Sequence, residues 1–151
     1  MKWERRGNTR GPSGEIMLTG EHTRSLDDKG RLSLPPAFRS VLAEGAYVAI
    51  YNQCLGIWTS DEARNALERF EAAVRVGEAT GDEFRRFSSS LEPVTVDAQG
   101  RLSLPTSKRE VLGLDKNVVL VGVFNRGEVW DADEWESVLS DRSTDDIGRW
   151  L

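Results

Sequence analysis

The nine residues Asp27-Asp28-Lys29-Gly30-Arg31-Leu32-Ser33-Leu34-Pro35 return as Asp97-Ala98-Gln99-Gly100-Arg101-Leu102-Ser103-Leu104-Pro105, offset by 70 positions and identical at seven of nine. A match of that quality marks an internal duplication and demands a fold that builds one unit twice. At 151 residues and 38% hydrophobic content, the chain can bury one substantial core but not two conventional ones. Two half-size units sharing a core satisfy both constraints.

The motif itself reads as a hairpin-like corner. Val94-Thr95-Val96-Asp97 alternates into the second copy, and beyond the turn Leu32 and Leu34, or Leu102 and Leu104, alternate with Arg31 and Ser33, or Arg101 and Ser103. The leucines therefore point inward and the arginines outward. Gly30 and Gly100 supply the residue that tolerates positive φ in the corner. Pro35 and Pro105 end the strands, and short helices are predicted just after them. In each copy a β-rich stretch follows (Ala46 to Tyr51; Asn117 to Phe124), then a turn and a strand ending in tryptophan, Trp58 or Trp130. Both tryptophans are expected in packing or a subunit interface rather than in base stacking.

These signals predict an α+β fold of two tandem ββαββ-type modules sharing one core, with helices on its outside. Residues 1–16 lack apolar periodicity and are expected to form a disordered arm, with Met17 as a candidate alternative start. The first module with its helix is assigned to 17–78, a linking helix to 79–90, the second module to 91–139 and an acidic tail of little order to 140–151. The helix from Asp61 to Val76 carries a stripe of Ala63, Ala66, Leu67, Phe70, Ala73 and Val74, suited to burial in the chain or against a neighbouring subunit. A second helix is predicted from Asp82 to about Ser90, and a third from about Asp133 to Leu139.

Composition narrows the function classes. One cysteine, Cys54, excludes an internal disulfide framework, and no apolar run is long enough for a membrane span or a secretory signal. A soluble, cytoplasmic protein without a membrane partner is expected. The net charge is −5, yet Glu128 to Leu151 alone holds eight acids against two basic residues, while both motif regions are locally net +1. A positive face on an acidic protein is therefore compatible with the sequence.

The inventory for catalysis is thin. His22 is the single histidine and is given a structural or solvent role, and neither metal-ligand spacing nor a phosphate-cradling loop occurs. No cofactor is expected. Asp27 and Asp97, meeting at a pseudo-twofold axis, raise the idea of a proton-sharing dyad. An arginine four residues on would hold each carboxylate ionised, when such a dyad needs one raised pKa, so the chain is not read as an enzyme. The local alternative is an Asx-type turn in which the aspartate accepts backbone N–H groups and pairs with the arginine. An arginine held in that way still offers a fork that matches guanine O6 and N7 or a phosphate. Arg31 and Arg101 are accordingly the candidates for direct DNA contact, oriented by Asp27 and Asp97, with Arg24, Lys29, Arg39, Lys108 and Arg109 as phosphate contacts.

With both motifs placed, the chain resembles the MraZ family of bacterial transcriptional regulators, related to the AbrB and MazE class of swapped-hairpin DNA-binding folds. The likeness rests on the two D-x-x-x-R motifs, Asp27 to Arg31 and Asp97 to Arg101, and on Gly20-Glu21-His22-Thr23 before the first. The resemblance implies AbrB-like modules in a swapped-hairpin barrel and binding to direct repeats in double-stranded DNA, in the promoter of the chain's own division and cell-wall gene cluster. It further implies repression of that cluster, ring-like homo-oligomers and association with the nucleoid. A reading from another class is an antitoxin-like or assembly module whose corners bind protein.

Overall fold

The computed structural model describes residues 16–140 and 147–151. Residues 1–15 of the expected arm and 141–146 of the expected acidic tail lie outside them. The first half runs β1 (Glu21–Ser25), β2 (Arg31–Ser33), α1 (Pro36–Val41), β3 (Ala46–Tyr51) and β4 (Cys54–Trp58). After α2 (Ser60–Arg75) and α3 (Gly81–Ser90), the second half repeats that order as β5 (Glu92–Val94), β6 (Arg101–Ser103), α4 (Thr106–Leu112), β7 (Asn117–Gly122) and β8 (Gly127–Asp131), followed by α5 (Ala132–Ser140). Residues Ile147–Trp150 form a short 3-10 helix within the stretch where the polar sequence predicts little order.

Helix boundaries follow local chemistry. Thr59 caps α2 by accepting the Glu62 N–H at 3.1 Å, and Asp131 does the same at α5 for Glu134. A full reciprocal capping box joins Thr80 and Glu83 at the start of α3. Pro36 occupies the first turn of α1, where its missing N–H costs nothing.

The antiparallel strand order β1-β7-β8-β4-β3-β5 reads the same from either edge once each strand is exchanged for its counterpart in the other half. Each half's leading strand lies on the other half: β1 pairs with β7, Glu21 opposite Val121, and β5 pairs with β3. The motif strands β2 and β6 form a separate two-stranded sheet. The fold is α+β with exchanged leading strands, and among the described residues the strand pairings do not close a barrel. Each motif strand spans three residues because Pro35 and Pro105, which have no N–H to donate, follow one residue later.

Both faces of the large sheet are covered, so the apolar runs of β3 and β7 divide by parity. Val118 and Leu120 join Val48, Leu55, Ile57 and Val129 in the main core, beneath Leu32 and Leu102 of the motif strands and Phe38 and Val41 of α1. Val119 and Val121 face the other way, with Trp130 and, from α5, Trp135. On the same outer face Trp58 meets Ala63 of α2 and Phe87 of α3. Both tryptophans are thus packing residues, under the helices that follow them.

Candidate functional site

Each motif folds into a turn organised by its aspartate. Asp27 Oδ1 accepts the backbone N–H groups of Lys29 and Arg31 at 3.0 and 2.8 Å, and Asp97 Oδ1 accepts those of Gln99 and Arg101, both at 2.9 Å. The main chain closes the corner through Asp27 N–H to Arg31 O and Asp97 N–H to Arg101 O. Gly30 and Gly100 hold φ of 74° and 77°, the left-handed conformation the corner needs. The second carboxylate oxygen takes the arginine: Arg31 Nε donates to Asp27 Oδ2 at 2.6 Å, and Arg101 Nε to Asp97 Oδ2 at 2.9 Å. The Asx-type turn and the Asp–Arg pair are therefore two uses of one side chain.

These bonds set the carboxylates' protonation. The Arg31 backbone N–H, helped by the Arg31 side chain and the Lys29 N–H and opposed by partial desolvation, lowers Asp27 from 3.8 to about 2. Asp97 is lowered for the same reasons, the Arg101 backbone N–H first. A proton-sharing dyad would require the opposite shift in one of them.

The fold sets the two turns side by side. In the β2–β6 ladder Arg31 faces Ser103, Leu32 faces Leu102 and Ser33 faces Arg101. The ladder is extended reciprocally by Leu34 N–H to Gly100 O at 3.0 Å and Leu104 N–H to Gly30 O at 3.1 Å. Leu32 and Leu102 are fully buried beneath it. Above it Arg101 Nη1 comes within 4.0 Å of Asp27 Oδ2, linking the pairs into a four-residue row. The side chains of Arg31, Asp27, Arg101 and Asp97 keep 27%, 34%, 31% and 36% of their surface exposed, enough for a ligand to reach them.

The other basic candidates are held in different ways. Arg24 donates through Nε to Ser33 O and through Nη1 to Thr23 O. Lys108 is mostly buried in an ion pair with Glu92 at 2.9 Å. Lys29 is exposed on the first turn. Arg39 lies over Gly100 and Arg109 over Gly30, each crossing to the other copy of the motif.

The remaining singled-out residues take structural places. His22 packs edge-on against Phe38 with ring centroids 5.5 Å apart. Cys54 is buried, and desolvation, with the Glu128 charge, pushes its thiol up to about 12. Among the described residues no group of three or more His, Cys, Asp or Glu is placed to hold a metal, and no helix is long and apolar enough to cross a membrane. Sequence reasoning overlooked a buried polar cluster between the halves. It counts Glu128 with the acidic C-terminal segment, yet this residue is nearly buried, accepting from the Tyr51 hydroxyl at Oε2 and from Trp130 Nε1 at Oε1, while Arg126 Nε donates to the Tyr51 hydroxyl. The signal was available as a charged residue within a strand otherwise read as packed.

Comparison with known proteins adds the decisive observation. The family described as "MraZ protein, putative antitoxin-like" matches residues 17–84 and 91–147, taking in both turns and all four residues of the row. The chain belongs to the MraZ family. Relatives bearing the name "Transcriptional regulator MraZ" include those of Kocuria rhizophila, 34% identical over 127 residues (83% of this chain, 89% of the relative), and Salinispora tropica, 36% identical over 126 residues (83% and 89%). That of Salinispora arenicola is 35% identical over 130 residues, covering 85% of this chain and 92% of its own. The family match takes in both copies of the duplicated unit, so the row of two Asp–Arg pairs sits inside the shared part.

Proposed function

We propose that this chain is a sequence-specific DNA-binding transcriptional regulator that represses its own division and cell-wall gene cluster by binding promoter direct repeats. The observation that carries this reading is the row of two Asp–Arg pairs on adjoining, hydrogen-bonded turns. Each arginine is anchored at Nε, and the terminal nitrogens of Arg31 make no hydrogen bond among the described residues. A guanidinium held at one edge presents a preorganised fork to guanine O6 and N7 or to a phosphate. Arg31 and Arg101 make the direct contacts, Asp27 and Asp97 orient them, and Lys29 and Arg24 meet phosphates. The relatives' name, transcriptional regulator, agrees with this reading.

Homo-oligomerisation, as a ring, belongs to the same proposal, with the protein residing on the nucleoid. Of the stripe on α2 only Ala63 is fully buried, while Ala66, Leu67, Phe70, Ala73 and Val74 are half-covered, partly by Phe84 and Phe87 of α3. A second copy on this face would complete their burial. Several turns presented to repeated sites would then gain effective concentration without new contacts. The same face, with the "antitoxin-like" wording of the family description, favours the second reading, an antitoxin-like or assembly module that binds protein.

A mobility shift on the promoter of the chain's own gene tests the proposal. Arg31→Ala and Arg101→Ala are each expected to weaken binding about tenfold or more, the scale of one bidentate base contact. Wild-type affinity should fall steeply with salt. Undiminished binding by the double variant would refute the assignment, and promoter-independent behaviour would favour the protein-binding module.

A further inference from the structure

Arg39 of α1 and Arg109 of α4 are related by the internal duplication, and each reaches into the opposite half. A Cβ on Gly100 would fall on the Arg39 guanidinium, and one on Gly30 would fall on that of Arg109. Each planar group therefore lies flush against a turn whose glycine is needed twice, for its φ and for its missing side chain. Arg39 Nη2 donates to the Ala98 carbonyl at 3.4 Å, inside the Asp97–Arg101 turn. Arg109 donates through Nε to Leu104 O and through Nη2 to Thr106 Oγ1, both at 3.0 Å, and the Leu104 N–H in turn bonds Gly30 O.

We propose that Arg39 and Arg109 are positioning residues that act across the halves, Arg39 setting the turn that presents Arg101 and Arg109 the turn that presents Arg31. The inference rests on the reading of Arg31 and Arg101 as DNA contacts. It replaces a phosphate-contact role for these two arginines with a geometric one. A guanidinium is flat and can cover a glycine backbone, whereas a lysine ammonium keeps the charge but not the plane. Neither DNA-contacting turn is complete within its own half, which gives the duplication a functional consequence: the two contacts are built as a pair.

The test is a double-mutant cycle on promoter DNA with the full chain. Arg39→Lys is expected to weaken binding about fivefold to tenfold, the scale of coupling between directly contacting residues. It should leave the slope of log affinity against log salt unchanged. Added to Arg101→Ala it should cost no more than about a further twofold, whereas added to Arg31→Ala its loss should multiply in full. Arg109→Lys should show the mirror pattern, coupled to Arg31 and independent of Arg101. Wild-type affinity in Arg39→Lys, full multiplication with Arg101→Ala, or an Arg39→Ala salt slope reduced by about one ion would overturn the proposal, the last marking a phosphate contact. Amide NMR shifts read the same coupling without DNA: Arg39→Lys should move Gln99 and Arg101 more than Lys29 and Arg31. Cross-half shifts together with intact DNA binding in Arg31→Ala/Arg101→Ala would sink the DNA reading while leaving the turn-setting role standing. Shifts confined to the substituted half would sink that role itself.

Discussion

Tyr51→Phe removes one oxygen from the polar cluster that joins the halves on the outer face of the sheet. The hydroxyl donates to Glu128 and accepts from Arg126, so two hydrogen bonds to charged groups are lost. Desolvation, with the neighbouring Glu128 carboxylate, pushes the phenol above its ordinary pKa, so at neutral pH it is a proton donor throughout. Bonds of this kind contribute about 1.5–3 kcal/mol each, but the two do not simply add. The Arg126 side chain is 30% exposed and recovers water, whereas that of Glu128 is 11% exposed and keeps Trp130 Nε1 and an Arg126 contact at 3.4 Å. The expected net loss is about 2 kcal/mol, or a fall in Tm of roughly 4–8 °C for a chain of this size. Thermal and urea unfolding measure it. Glu128→Gln combined with Tyr51→Phe should cost less than the two separate losses added together, because both touch one network. DNA affinity at 25 °C should stay within about twofold of wild type, since Tyr51 packs on the sheet face away from the motif strands. A loss below about 0.5 kcal/mol would refute the reasoning, showing that Glu128 and Arg126 satisfy each other without the tyrosine.

Acid should destabilise the fold through the turn aspartates. Because the folded-state pKa of Asp27 lies near 2 and its unfolded value near 3.8, its contribution is complete above about pH 4 and lost as the pH falls toward 2. Asp97 and Glu83 act in the same direction, and Asp27→Asn should flatten the acid limb of a Tm-versus-pH curve. If that curve keeps its wild-type slope in the variant, the turn bonds do not act as described. Leu102→Ala, at a fully buried site opposite Leu32, should cost about 2–5 kcal/mol in urea unfolding, and a loss below 1 kcal/mol would show that the motif strands are not core. Cys54, buried with its thiol pushed up to about 12, should react with an aromatic disulfide reagent only at the rate of unfolding. Rapid labelling of the native protein would contradict its burial.

Much of the local architecture was legible in the chain. The alternation around the repeated nonapeptide placed Leu32, Leu34, Leu102 and Leu104 in the core, and the prolines and caps located the helices to within one or two residues. The Asx turn was legible because all its bonds span four residues or fewer. Burial of Glu128 and the ion pair of Lys108 with Glu92 were not, since a charge count carries no information on which side chains meet across 16 or 77 positions. The placement of Arg39 and Arg109 escaped for the same reason. Their spacing to their own motifs suggested two phosphate contacts near a binding face, while the glycine turns they pack against lie in the other copy.

By itself the sequence determined that one unit is built twice, that each copy carries an acid and an arginine on a glycine corner, and that its leucines turn inward. These are consequences of short-range sterics and period-two alternation, which act over a few residues and need no knowledge of the fold. Only the tertiary structure decided that the leading strands change sides, that Leu32 meets Leu102, and that Arg101 comes within reach of Asp27. Those outcomes depend on burying one face of a single sheet beneath two copies of the same motif and the other beneath the helices. That global packing condition turns two separate acid–arginine turns into one continuous row.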